Sequence, residues 1–270
     1  MKNLVITAAC GLEVEKVEFF LKSLRNYYNE EIFFLIGKQD SKIKELLKIY
    51  NCSFLEVSVH KTEIQLKRYQ FFLEFLKEKE YKNVLFCDSR DIYFQSNPFD
   101  FNYKGSINYF LEDKKIKDCD INSYWLKRTY GQKVYELLSD KIISCGGTIL
   151  GSHQSLKKFL SMMIAETAKH KFKKRLKYIL TFRRDKTSRG SDQSHGNYIA
   201  HNKLIDNTSL YSNESGPVAT VFHLKKIKFN NNFQLVNSLG VPYSIVHQYD
   251  KRWDEFENNV KMFKNNLGIN

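Results

Sequence analysis

The first hundred residues alternate between two hydrophobic periods, and this limits the fold more than any other feature of the chain. Apolar runs occur at 4–9 (LVITAA), 32–36 (IFFLI), 53–57 (SFLEV) and 83–87 (NVLFC). Between them lie an amphipathic segment at 13–28, a lysine-rich one at 41–50 and a helical pattern at 62–79. Short apolar runs separated by helix-length amphipathic stretches predict strand–helix–strand units. The expected class is α/β, with a mixed, mainly parallel sheet flanked by helices. In the 62–79 segment, Ile64, Leu66, Tyr69, Phe72, Leu73, Phe75 and Leu76 recur mostly at helical spacing and predict an apolar face for the sheet, while Lys67 and Arg68 read as its polar face. Open sheets of this kind bind ligands beyond the carboxyl ends of their strands, here Thr7 to Gly11, Gly37 and Asp88 to Asp91.

Beyond Pro98 the alternation fades. Segments 101–113, 119–138 and 142–151 read as short strands, loops and one helix. A long helical pattern covers 153–181, and RRDKTSRGSDQSHGN reads as a polar loop. β-type runs follow (PVATVFHL, FQLVNSL, PYSIVHQY), and 251–270 closes as a helix. With three prolines and twelve glycines in 270 residues, no linker separates the halves, so one domain is expected, divided at about residue 100.

Five cysteines, at 10, 52, 87, 119 and 145, include no CxxC pair. That argues against a disulfide framework or structural zinc and for a reducing, cytoplasmic setting. The apolar run within MKNLVITAACG falls below the roughly 7–15 residues of a signal peptide's core, and no stretch reaches the roughly 20 of a membrane span. The net charge of +13 predicts an anionic partner. Much of the excess lies at 167–189, where Lys171, Lys173, Lys174, Arg175, Lys177, Arg183 and Arg184 crowd together. This cluster is either a solvated helix face or a site facing anionic lipid head groups or an anionic acceptor. Nucleic acid is not the expected partner, because aromatics do not interleave with the cluster and no nucleic-acid-binding signature occurs.

Chemistry concentrates in NVLFCDSRDIYFQSNPF, where a buried-type strand ends in Asp88, Ser89, Arg90 and Asp91. Two carboxylates three residues apart suit a hard divalent cation that keeps positions open for phosphate oxygens. Arg90 would either touch phosphate or pair with a neighbouring carboxylate. An Asx turn is the plain structural alternative for the acids. Haloacid-dehalogenase chemistry needs acids two apart after an early strand, and no GxxxxGK[ST] loop is present.

The string VLFCDSRDIYFQSNPF resembles the metal-binding region of GT-A (Rossmann-like) nucleotide-sugar glycosyltransferases. It is most similar to bacterial enzymes of surface-polysaccharide synthesis with a DxRDxxFQxxPF motif. ISCGGTILG at 143–151, SDQSHGNYI at 191–199 and SIVHQYDKR at 244–252 resemble further blocks of that family, in the same order. The usual Asp-x-Asp is here Asp-Ser-Arg-Asp, and more weight falls on Asp91 as direct ligand.

The resemblance implies transfer of a sugar from a nucleoside-diphosphate donor, expected to be a UDP-sugar, to a saccharide or lipid-linked saccharide acceptor. Asp88, Asp91 and His247 would hold Mn²⁺ or Mg²⁺, with His223 a rival to His247. Thr7, Ala8 and Ala9 would line the nucleobase pocket, while Arg68, Arg90 and either Lys251 or Arg252 would meet ribose or phosphate. Gly146, Gly147 and Gln193 would face the substrate. Asp192 would stand nearest the chemistry, with His195 a second candidate base, and the Asp-Gln pair resembles retaining families more than inverting ones. A sugar nucleotidyltransferase shares this logic but opens with a glycine-rich, lysine-containing loop that AACGLEVEK matches poorly.

Overall fold

The computed structural model describes residues 1–59, 63–181 and 190–268, apart from the side chains of 173, 174 and 176–181. Its first part follows the predicted alternation: β1 (Leu4–Ala8), α1 (Val14–Arg25), β2 (Glu31–Gly37), α2 (Ser41–Ile49), β3 (Ser53–Val57), α3 (Ile64–Glu78) and β4 (Asn83–Cys87). Then come β5 (Ile92–Phe94), β6 (Ile107–Lys115), α4 (Asp120–Tyr130), α5 (Gln132–Leu138), β7 (Ile142–Ser152) and α6 (His153–Thr181). The chain continues with α7 (Ser191–His201), β8 (Thr208–Tyr211), β9 (Val218–Thr220), β10 (Ile245–His247) and α8 (Trp253–Asn266).

Seven strands form one mixed sheet in the order β3-β2-β1-β4-β7-β6-β8. β1 to β4 run parallel, β7 is antiparallel to both its neighbours, and β8 is parallel to β6. Strand alternation divides the core between the two faces. Leu4 and Ile6 of β1 pack with Phe72 of α3 and Phe159 of α6, while Val5 packs with Phe20 and Leu24 of α1. A second sheet, β5-β10-β9, carries its own apolar cluster with Phe256 and Val260 of α8.

Several sequence expectations need correction. The region 101–151 holds two long strands and two helices, the helices separated at Gly131, whose φ of 86° suits glycine. SDQSHGNYIAH is helical, not loop, and its polar character comes from residues that bond inward: Asn197 bridges Ser144 of β7 and Gln193. FQLVNSL forms isolated bridges from Leu235 and Val236 rather than a strand, and β8 was not anticipated. Arg68 is not on the polar face of α3 but buried, over the rings of Tyr69 and Phe86.

Gln95, in the FQ of the motif, is a structural residue. Its amide donates to the Leu235 and Tyr243 carbonyls at 3.0 and 2.8 Å and accepts from the Leu235 N–H at 2.7 Å. This ties β5 to the segment preceding β10. Gln95→Leu strands three buried backbone groups, and is expected to cost about 2–4 kcal/mol, read as a shifted denaturant midpoint without a change in slope.

No helix among the described residues is long and apolar enough to cross a membrane. Of the basic cluster, Lys171 and Arg175 are exposed on α6 beside exposed Phe172, whereas Arg183 and Arg184 lie outside the described residues, as do the side chains of Lys173, Lys174 and Lys177.

Candidate metal centre and ligand cleft

Two strand registers assemble the site. In the large sheet Cys87 of β4 pairs with Thr148 of β7, and the Asp88 N–H donates to the Gly147 carbonyl at 2.8 Å. In the small sheet Ile92 pairs with His247, and the Gln248 N–H donates to the Asp91 carbonyl at 2.8 Å. Asp88 and Asp91 therefore meet the end of β10 at the junction of the sheets. One donor atom from each of Asp88, Asp91 and His247 falls within 4.8 Å of the others. His247 Nε2 stands 3.9 Å from Asp88 Oδ2 and 3.7 Å from Asp91 Oδ1.

Surrounding groups aim these donors. Arg68 donates to Asp88 Oδ1 at 2.5 Å, leaving Oδ2 towards the histidine. Arg90 donates to Asp91 Oδ2 at 2.9 Å and stands 3.3 Å from Asp250, leaving Asp91 Oδ1 towards the histidine. Cys145 Sγ and Thr148 Oγ1 both lie 3.4 Å from His247 Nδ1, which leaves Nε2 for a ligand. Each donor thus has one atom held and the other turned inward, the arrangement of outer contacts that orients metal ligands. Burial opposes the charge on Arg68, but Tyr69, Asp88 and Asp192 nearby together outweigh it. Two carboxylates and an imidazole could hold a divalent cation while leaving coordination positions open.

The centre opens into a cleft of about 590 Å³ at the carboxyl ends of β1 and β4. Of the three residues expected at the end of β1, only Ala8 lines it; Thr7 and Ala9 are fully buried, because the alternating strand turns them away. Cys10 and Leu12 line it beyond the strand end. Ser89 donates to the Ala8 carbonyl at 2.9 Å and fixes the two strand ends together. Gly37 is not along the wall; its N–H is held by Asp40 at 2.8 Å.

Gly146, Gly147, Asp192, Gln193 and Lys251 all line the cleft. Gln193 accepts from the Gly146 N–H at 2.9 Å and donates to the Ser144 carbonyl at 2.8 Å, binding the first turn of α7 to β7. Burial raises the Asp192 carboxyl from its ordinary value, offset in part by Arg68.

His195, expected as a second base, is turned away from the cleft. It is 1% exposed, its Nδ1 lies 2.8 Å from the Tyr130 hydroxyl, and Tyr130 also donates to Glu166 at 3.0 Å. Burial pushes its pKa down to about 4. Three residues beyond Asp192 on a helix, a side chain that packs on α4 and α6 is not available to the same cavity. His223 lines the cleft but stands outside the three-ligand group, 3.5 Å from Glu112. Glu112, Trp125 and Phe222 also line it and were not singled out in the sequence, where an isolated glutamate or aromatic has no distinguishing pattern; Gln248, within the SIVHQYDKR block, lines it too. Only the β6 run, where a buried-type strand INYFLEDKK contains two adjacent acids, carried a signal for Glu112.

No protein-family model matches the chain, and no curated protein matches it either.

Proposed function

We propose that the chain is a metal-dependent glycosyltransferase of the GT-A type, moving a sugar from a nucleoside-diphosphate sugar to an acceptor hydroxyl. One observation carries this reading: Asp88 and Asp91 from one strand end and His247 from a distant part of the chain turn one donor atom each towards one another in a cleft at the strand ends. The donor set suits Mn²⁺ or Mg²⁺, with the imidazole favouring Mn²⁺. When bound, the cation would supply charge neutralisation for a departing diphosphate.

The protein's own groups divide the remaining work. Arg68 and Arg90 keep the carboxylates oriented, so in this reading they serve the phosphates through those acids. Lys251, exposed at the cleft edge, has no such acidic partner among the described residues, whereas Arg252 is paired with Glu255 at 2.6 Å, and Lys251 is the better candidate for direct phosphate contact. Asp192, raised by burial and standing beside Arg68, faces the sugar and is the group assigned nearest the chemistry. The acceptor is a saccharide or lipid-linked saccharide of surface-polysaccharide synthesis, reached from the cytoplasmic side, with exposed Lys171, Phe172 and Arg175 on α6 as the contact to an anionic membrane.

A calorimetric titration of UDP-, GDP- and CMP-sugars, with Mn²⁺ or Mg²⁺ and then with chelator, tests the reading. Binding of a UDP-sugar that disappears with chelator is the expected outcome; no binding of any nucleotide sugar in the presence of metal would reject it.

A further inference from the structure

We propose that Glu112, His223 and Phe222, on the β6 side of the cleft, bind the hydroxyls and ring face of a saccharide acceptor. This rests on the sugar-transfer reading of the same cleft, and it assigns an end of it to which the motifs assign nothing.

The position follows from the sheet. β6 lies beyond β7, which lies beside β4, so Glu112 stands two strands over from Asp88, about 10 Å across the sheet at ordinary strand spacing, and is displaced along it as well, since Leu111 pairs with Ser144 while Asp88 bonds to Gly147. That leaves room for one sugar between the metal centre and this wall. Asp113, the next residue on β6, accepts from the Asn213 amide at 2.9 Å and from the Lys225 N–H at 3.4 Å. Asn213 in turn accepts from the Thr220 N–H at 2.9 Å. These bonds fasten the segment after β9 across β6 and bring His223 Nε2 to 3.5 Å from Glu112 Oε2.

The chemistry there differs from that of the metal centre. Glu112 is 5% exposed and still reaches the cleft, while neighbouring Phe222 is 42% exposed, a large aromatic side chain left in solvent. The rings of Phe222 and His223 are 4.3 Å apart at a tilt of 34°. Burial raises the Glu112 carboxyl to about 8, against the opposing pull of Lys114, so at neutral pH it carries a proton and can donate as well as accept. A carboxyl and an imidazole side by side match adjacent hydroxyls, and an exposed ring covers the apolar face of a pyranose. A few convergent polar groups next to an aromatic surface is how neutral polar ligands are held. An anionic ligand would meet a buried carboxyl instead of a cation, which assigns this end to a sugar rather than to phosphate.

Ligand-observed NMR with a panel of methyl hexopyranosides, in the presence of Mg²⁺ and UDP, tests the assignment. Glu112→Leu removes the polar pair, and Phe222→Ala removes an exposed ring that the core does not need. In the wild-type protein at least one methyl glycoside is expected to bind. Each variant should weaken it by about tenfold or more, with UDP affinity unchanged and a cooperative melting transition retained. Equal glycoside binding by Phe222→Ala and wild type, or no glycoside bound by wild type, overturns the proposal. Glycoside binding that depends on Glu112 and Phe222 without any UDP binding would keep the saccharide site and reject the nucleotide-sugar reading.

Discussion

Asp91→Asn is expected to weaken Mn²⁺ binding by about 100-fold while the protein stays folded. A contact to an ionised group is worth about 1.5–3 kcal/mol, or roughly 10- to 150-fold in affinity. Asp91 belongs at the upper end because its side chain is only 7% exposed, and screening by water is correspondingly weak. Asp88, with a side chain 34% exposed, should lose less when changed to Asn. The fold should survive because Arg90 retains Asp250 as a partner at 3.3 Å when Asp91 loses its charge. Titration of Mn²⁺ by electron paramagnetic resonance, beside a thermal melt, reads both quantities. A variant that binds Mn²⁺ as tightly as wild type would remove Asp91 from the metal centre, and with it the observation on which the proposed function rests.

The order of effects tests the arrangement, not only the residue list. His247 presents Nε2 because Cys145 and Thr148 occupy the Nδ1 side. The acids present one oxygen each because Arg68 and Arg90 occupy the other. Little of this was legible in the sequence, although the residues were. The acidic strand end at 88–91 could be found because an apolar run stopped there, and strand-end topology made it a ligand position. The meeting of His247 with it depends on two registers, Ile92 with His247 and Cys87 with Thr148, that no local pattern encodes. Arg68 read as polar by helical spacing, yet it is buried, because Asp88 gives its charge a partner that the pattern of α3 does not contain. The same limit explains Thr7 and Ala9: the end of β1 was correctly located, but which side chains face the cleft is a matter of pleat. SDQSHGN read as loop because its composition is polar, and composition does not reveal that Asn197 and Gln193 bond inward to β7.

Gly147 has no room for a side chain between two of the metal donors, and Gly147→Ala should lose most of its metal affinity with a modest loss of stability. A Cβ at this position would lie 2.5 Å from Asp88 Oδ2 and 2.5 Å from His247 Cε1, with Nε2 at 2.9 Å. These atoms belong to two of the three donors, so the methyl group must displace the acid, the imidazole or both. Ligand constellations tolerate about 0.5 Å of displacement before function suffers, and relief of this clash requires more. Asp88 is not free to retreat, since its other oxygen is held by Arg68, which is packed over Tyr69 and Phe86. The backbone itself is not strained by the change, because Gly147 is not among the glycines with positive φ. An overpacking cost of about 1–3 kcal/mol is therefore the whole stability effect. Gly146→Ala provides the control one residue away: its Cβ would meet Gln193 Oε1 at 2.8 Å, the far end of a side chain that can turn. Metal affinity should fall by roughly 100-fold or more in Gly147→Ala and by less than about tenfold in Gly146→Ala, where the displaced group orients α7 rather than the ligands. Equal metal affinities for the two variants would mean that Asp88 and His247 do not act together on one ion, whatever each contributes alone.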